Sequence, residues 1–239
     1  MKLWQKNTPT DEKIVHFTVG KDRVYDLHLA AYDCQASIAH VKMLGQIEIL
    51  TEKETQALVR VLNEIKTEAE NGKFLIEDSF EDMHSKIEFV LTQKLGDLGK
   101  KIHTARSRND QVLVSIQLYL KKEISEIKSL INNFFKLLIS LAKKNKDKLL
   151  PGYTHFQVAM PSSFGLWFSA YAESLIDDVT LFNAVQKIVD QNPLGSAAGF
   201  GSSFAINRET TTKDLDFGDL KYNVIAAQIS RGKAEKLIS

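Results

Sequence analysis

Cysteine occurs once, at Cys34, so no internal disulfide can staple this chain and its stability has to come from packing. An excess of either charge is lacking too: 31 Lys and Arg stand against 30 Asp and Glu, a formal net charge of +1. That balance removes the electrostatic footprint of a nucleic-acid or acidic-membrane binder, so the expected partner is a small molecule, with no nucleic acid and no membrane. Long apolar runs are missing as well. The longest, LLISLA at 137–142, falls far short of the roughly 18–20 residues that a membrane-spanning helix needs. The first residues, MKLWQKNTPTDEK, hold no apolar core of the signal-peptide kind, and with the lone cysteine they predict a cytoplasmic protein. No paired cysteines or HExxH offer a metal site, and no Gly-x-Ser-x-Gly elbow offers an esterase nucleophile. Convincing strand alternation, internal repeats and linkers are absent. What the chain does have is 44% hydrophobic residues over 239 positions, enough for a real core.

Those apolar residues recur at helical spacing. Leu29, Tyr32, Ala36, Ala39, Met43 and Ile47 step by threes and fours and predict a helix over 22–46. Thr51 followed by Glu54 has the capping-box form and Asn71-Gly72 supplies a left-handed stop, which predicts a helix over 51–71. A third is predicted over 81–95, with Gly96 after it. From Leu113 through Ile124 and Phe134 to Leu141 the period holds with no Pro or Gly until Pro151, so a helix over 109–146 would be about 55 Å long. A helix of that length belongs in a bundle, packed by others like it. Pro161-Ser162 opens another, to about 191, and a last one is expected from Tyr222 onwards. The expected fold class is therefore all-α: a small N-terminal helical domain over 1–105, then part of a long central helix bundle over 106–239 whose third long helix is cut short.

Four polar stretches interrupt this pattern. KIHTARSRNDQ at 101–111 enters the longest helix, where free backbone N–H groups and the positive dipole end favour an anion, reinforced by Arg106, Arg108 and Asn109. The alternative is that Ser107, Asn109 or Asp110 caps the helix and the arginines are solvated. GYTHFQ at 152–157 sets His155 between Thr154 and Gln157, which reads as a structural histidine or as a general acid or base. The small residues of 192–203 either cradle a substrate or permit close packing. His84, in EDMH at 81–84, either contacts ligand or sits capped or solvated near a helix start.

Taken together, EDMHSKIE (81–88), KIHTARSRNDQV (101–112), PGYTHFQVAMP (151–161) and PLGSAAGFG (193–201) resemble the argininosuccinate lyase family, within the fumarase and aspartase superfamily of all-α lyases. The resemblance runs from Lys2-Leu3-Trp4 to the end of the chain, in the family's order and approximate spacing. It implies a reversible elimination of argininosuccinate to arginine and fumarate with no metal or organic cofactor. Carried over by position, it implies that His155 is catalytic and that Asn109 and Thr154 bind substrate, with Ser107, Arg108, Gln157 and His84 around them. Asp22 stands where family members commonly place a substrate-contacting Ser, while Tyr25-Asp26 and Asp33-x-Gln35 fit the pattern. Two stretches depart from it: QKNTPTDE replaces the usual Gly-Gly-Arg-Phe after Trp4, and Gly232-Lys233 follows Arg231. The GSSxMPxKxNP loop that carries the family's catalytic Ser has no counterpart here. The chain resembles the N-terminal half of the family's members and is expected to turn over very slowly by itself. A homotetramer with active sites shared between subunits is implied for the whole protein. A crystallin-like scaffold without activity and a sister fumarate-yielding lyase are the alternatives.

Overall fold

The computed structural model describes residues 11–238, so Lys2-Leu3-Trp4 and most of the QKNTPTDE departure lie outside the described residues. In chain order the elements are α1 (Glu12–Val19), α2 (Asp22–Gln46), α3 (Glu52–Glu70), α4 (Met83–Leu95), α5 (Asp97–Lys100), α6 (Arg108–Lys144), β1 (Leu149–Thr154), β2 (Gln157–Ser163), α7 (Phe164–Val189), β3 (Gln191–Asn192), α8 (Arg208–Asp214), β4 (Asp219–Leu220), α9 (Val224–Ile229) and α10 (Lys233–Ile238). The fold is helical, as its periodicity predicts. The described residues form two compact units. One runs to Tyr119 and resumes over Asp190–Lys233; the other comprises Leu120–Val189 and the residues from Ala234.

In the first unit α2, α3 and α4 bury a shared apolar core of Leu44, Leu58, Leu62, Met83, Ile87 and Leu91, with Ile102 from the turn after α5. The start of α3 shows why the sequence stops and starts where it does. Thr51 Oγ1 accepts from the Glu54 backbone N–H while the Glu54 carboxylate accepts from Thr51, so two helix-end donors are satisfied reciprocally. A second cluster joins Ala36 and Ala39 of α2 to Val114 and Leu118 of α6 and to Leu194, Leu215 and Phe217. This cluster brings the 193–201 loop to the start of α6.

The second unit holds the rest of α6, the β1–β2 hairpin and α7, with a small core of Ile124, Val185, Val189 and Ala234. Much of its apolar surface stays uncovered, including Leu130, Phe134 and Leu137 on α6 and Leu166, Trp167, Tyr171 and Ile176 on α7.

Two expectations need correction. The stretch read as a loop between helices is an antiparallel hairpin, with Leu149 paired to Ser163 and Thr154 to Gln157. It lacks the alternation that betrays a strand because most of its residues are exposed on both faces, and Pro151 opposes Pro161 in the ladder. The helix expected to run on from Tyr222 is broken between α9 and α10, where Gly232 takes φ 79°. The apolar spacing continues across that break, so the sequence pattern alone does not reveal it. Helices α1 and α8 are too short for periodicity to announce them.

Candidate functional site

The start of α6 is built as a cap. Ala105 turns the chain at φ 60°, a left-handed conformation uncommon for alanine. Ser107 then presents its Oγ to the backbone N–H of Asn109 at 3.2 Å, while its own N–H donates to Asp110 Oδ1 at 2.9 Å. Of the alternatives left open by the sequence, the cap is present in Ser107 and Asp110, but the arginines are not solvated, since Arg106 donates to Ser37 and Arg108 to Asp82; Asn109 remains exposed. The Asn109 side-chain amide donates to Ser107 Oγ at 3.2 Å, and the Asn109 backbone carbonyl accepts from Arg231 Nη2 at 3.3 Å. An exposed amide and hydroxyl at a helix N-terminus form a place where a carboxylate can be held.

Arg108 is engaged elsewhere. Its Nη1 donates to both oxygens of Asp82, at 2.8 and 2.9 Å, and Asp82 in turn caps α4 by accepting from Ser85 N–H at 2.7 Å. Burial works to raise the Asp82 carboxyl, but the Arg108 charge and the Ser85 N–H prevail and hold it below its ordinary value. Arg108 therefore ties the 101–111 stretch to the 81–88 stretch. His84 is buried rather than solvated, at 4% exposure, with Nδ1 3.1 Å from Asp33 Oδ1 but not aligned as a hydrogen bond. Asp22 opens α2 and is exposed.

Asp33 is the hub that the sequence does not announce. Fully buried, its carboxylate accepts from Gln111 Nε2 at 3.0 and 3.1 Å and from Ser115 Oγ at 3.2 Å, next to His84. Burial would raise its pKa, yet His84, Arg106 and Gln111 together hold it down at about 2. Arg106 donates from Nη1 to Ser37 Oγ at 2.9 Å. Burial lowers its pKa while Asp33 and Asp110 oppose that shift. Asp33, Ser37 and His40 lie at i, i+4 and i+7 on one face of α2, and Gln111 and Ser115 at i and i+4 on α6. This polar register is the one signal that could have located the cluster.

The 193–201 loop does not keep all its N–H groups for a ligand. Gly195 and Ala197 both donate to Asp110 Oδ2, at 2.9 and 3.0 Å. Burial pushes the Asp110 carboxyl above its ordinary value, and the N–H donors of Ser107, Ala197 and Gly195 with the Arg106 charge work against it. Arg208, which the sequence reading passed over, stitches the far side of the loop by donating to Leu194 O at 2.9 Å and Lys221 O at 2.9 Å. Gly195 has to be glycine: its φ is 86°, and an added Cβ would meet the Arg208 side chain at 2.8 Å.

Thus the first unit gathers Ser107, Arg108, Asn109 and His84 with the 193–201 loop. Thr154, His155 and Gln157 belong to the second unit, at the exposed tip of the hairpin. There Thr154 pairs with Gln157, so His155 and Phe156 form the whole two-residue turn, both at positive φ, 50° and 63°. Such turns favour Asn-Gly; His and Phe occupy it at a cost. Among the described residues no group of three or more His, Cys, Asp or Glu is placed to hold a metal ion, and no helix is long and apolar enough to cross a membrane.

Comparison with known proteins gives one family. The family model described as "Lyase" matches residues 6–232. Over 238 residues the chain is 53% identical to the argininosuccinate lyase of Parabacteroides distasonis, covering 100% of this chain and 53% of that protein. With the argininosuccinate lyase of Thermotoga neapolitana it shares 43% identity over 237 residues, 99% of this chain and 60% of that one. The chain spans about half the length of the curated relatives it matches. Among solved structures it is similar in fold to EDDS lyase in complex with formate, with a TM-score of 0.77 at 24% identity over 92% of this chain and 44% of that one. The fumarate lyase:delta crystallin of Brucella melitensis aligns with a TM-score of 0.75 at 16% identity, covering 90% and 52%.

Proposed function

We propose, from the premise that this chain belongs to the lyase family whose model spans residues 6–232, that the whole protein containing it is an argininosuccinate lyase, splitting argininosuccinate reversibly into arginine and fumarate. The observation that carries this reading is the alignment of the entire chain, at about half identity, with relatives bearing that name. The polar architecture supports it. A proton leaves the carbon beside a carboxylate, charge spreads onto that carboxylate, and the carbon–nitrogen bond breaks as the leaving guanidinium nitrogen takes up a proton. Neutral donors aimed at the carboxylate stabilise the intermediate. Ser107, Asn109 and the start of α6 are assigned that role, with Thr154 and Gln157 holding the same succinyl group from the hairpin tip. Arg108 acts at one remove, by fixing the loop to Asp82. His155 is the catalytic histidine, transferring or orienting a proton. His84 serves the site through Asp33, and Asp22 replaces a substrate-contacting Ser. Proton abstraction is left to the Ser loop, which the family resemblance places in the half of the relatives that this chain does not span.

The assembly we infer is a cytoplasmic homotetramer in which the exposed faces of α6, α7 and the hairpin pack against other subunits, so that Asn109 and His155 of one site come from different chains. The test is direct: a full-length protein containing this chain is given argininosuccinate, and fumarate is followed by its absorbance. Fumarate release is expected. No release from argininosuccinate, with release from adenylosuccinate or aspartate instead, would assign it to a sister lyase. Inertness toward all three would leave the scaffold reading.

A further inference from the structure

We propose that Asp110 is a positioning residue for this elimination: its buried carboxylate locks the turn carrying Ser107 and Asn109 to the 193–201 loop, so that both loops are presented to substrate as one rigid piece. The proposal rests on the functional reading above and deepens it. Asp110 is 0% exposed. One oxygen accepts from Ser107 N–H at 2.9 Å; the other accepts from Gly195 at 2.9 Å and Ala197 at 3.0 Å, the first of these lying 85 positions away in the chain. To aim two N–H groups at one oxygen the loop takes positive φ at Gly195 (86°) and again at Ala197 (51°), where an alanine resists it. Successive N–H groups in such a bend make an anion-binding nest. Here the anion is part of the protein. Gly195 and Ala197 therefore have no N–H left for a ligand, and their influence on substrate runs through Asp110 to its helical neighbour Asn109.

The junction is braced from one more side. Gln228 Nε2 donates to Ser196 Oγ at 2.9 Å and to Ala197 O at 3.1 Å, while Arg231 reaches Asn109 O. All of these residues lie in the first unit. An ionised carboxylate suits three N–H donors; an amide of the same shape does not, because its NH2 group must face at least one of them. Replacing Asp110 by Asn therefore frees part of the junction without changing its volume, and the exposed Asn109 amide loses its fixed aim.

The experiment uses the full-length protein containing this chain, as wild type, Asp110→Asn, Asp110→Gly and, as a control, Thr51→Ala. The control weakens the cap of α3 and touches neither loop. In Asp110→Asn the KM for argininosuccinate should rise about tenfold to a hundredfold with kcat changed less, the size of effect that misplacing a binding group produces. Amide hydrogen exchange at Gly195 and Ala197 should quicken in the same variant. In Asp110→Gly, sodium formate is small enough to refill the nest; it should slow those two amides again and recover part of the KM, and sodium chloride should not. KM unchanged, or changed no more than in Thr51→Ala at an equal fall in melting temperature, overturns the proposal. So does undiminished protection of Gly195 and Ala197 in Asp110→Asn. If Asp110→Asn does not fold, Asp110→Glu takes its place: a raised KM supports the proposal and an unchanged KM overturns it. A wild-type protein that releases no fumarate defeats the functional reading instead, and the exchange of the two amides still decides whether Asp110 couples the loops.

Discussion

His40 sits 1% exposed on the polar face of α2, with Nε2 2.9 Å from Thr104 O and Nδ1 buried without a partner. The carbonyl fixes the tautomer: Nε2 donates and Nδ1 is left bare. Burial, then the nearby Arg106 charge, hold its pKa down to about 3 from the ordinary 6.5, with His103 adding to the effect and Thr104 opposing it. A proton that the unfolded chain accepts below about pH 6.5 is thus refused by the folded one, so stability is full above that pH and declines as pH falls toward 3. The decline approaches about 1.4 kcal/mol per pH unit. Urea unfolding at pH 7 and pH 5 should show a loss in wild type that His40→Gln largely abolishes; equal losses in both would contradict the assignment. Asp33 adds its own acid sensitivity lower down, between about pH 4 and 2, since its carboxylate is stabilised by folding. Little of this was legible in the sequence. Ser107, Asn109 and Asp110 stand out there because they break a periodic pattern, whereas Asp33 and His40 look like solvent-facing residues until the elements around α2 are laid together.

At the scale of elements, the helices were readable because each buries one stripe, and α3 adds a capping box that fixes its first residue. The β1–β2 hairpin was not readable, since what identifies it is turn geometry rather than an apolar pattern. Its two-residue turn carries the strain of His155 and Phe156 at positive φ, and a left-handed side-chain-bearing residue costs about 1–2 kcal/mol relative to glycine. Phe156 is 99% exposed, so it recovers none of this by packing within the chain. Phe156→Gly in the 239-residue chain should therefore stabilise the second unit by about 1 kcal/mol, raising its unfolding midpoint in a thermal melt. A lower midpoint would mean that the ring is held by contacts within the unit and that the turn is not strained.

For the molecule as a whole, the two units differ in how complete they are. The first buries the larger core and the polar cluster and exposes apolar side chains such as Phe17, Leu75 and Phe200 on separate elements, whereas α6 and α7 leave Leu130, Phe134, Leu137, Leu166, Trp167 and Tyr171 in solvent. An apolar expanse of that kind marks an interaction surface, which is the physical ground for inferring that the second unit assembles with other copies. The two residues of the inferred site fall in different units, Asn109 in the first and His155 in the second. The central claim, that these residues serve one elimination site from different subunits, is tested by mixing. Full-length His155→Ala and Asn109→Ala proteins, each nearly inactive, are unfolded and refolded together and assayed for fumarate. Hybrid tetramers should recover part of the wild-type rate, because some sites then hold an intact residue of each kind. Hybrids seen by mass spectrometry that remain as inactive as either parent would contradict the account.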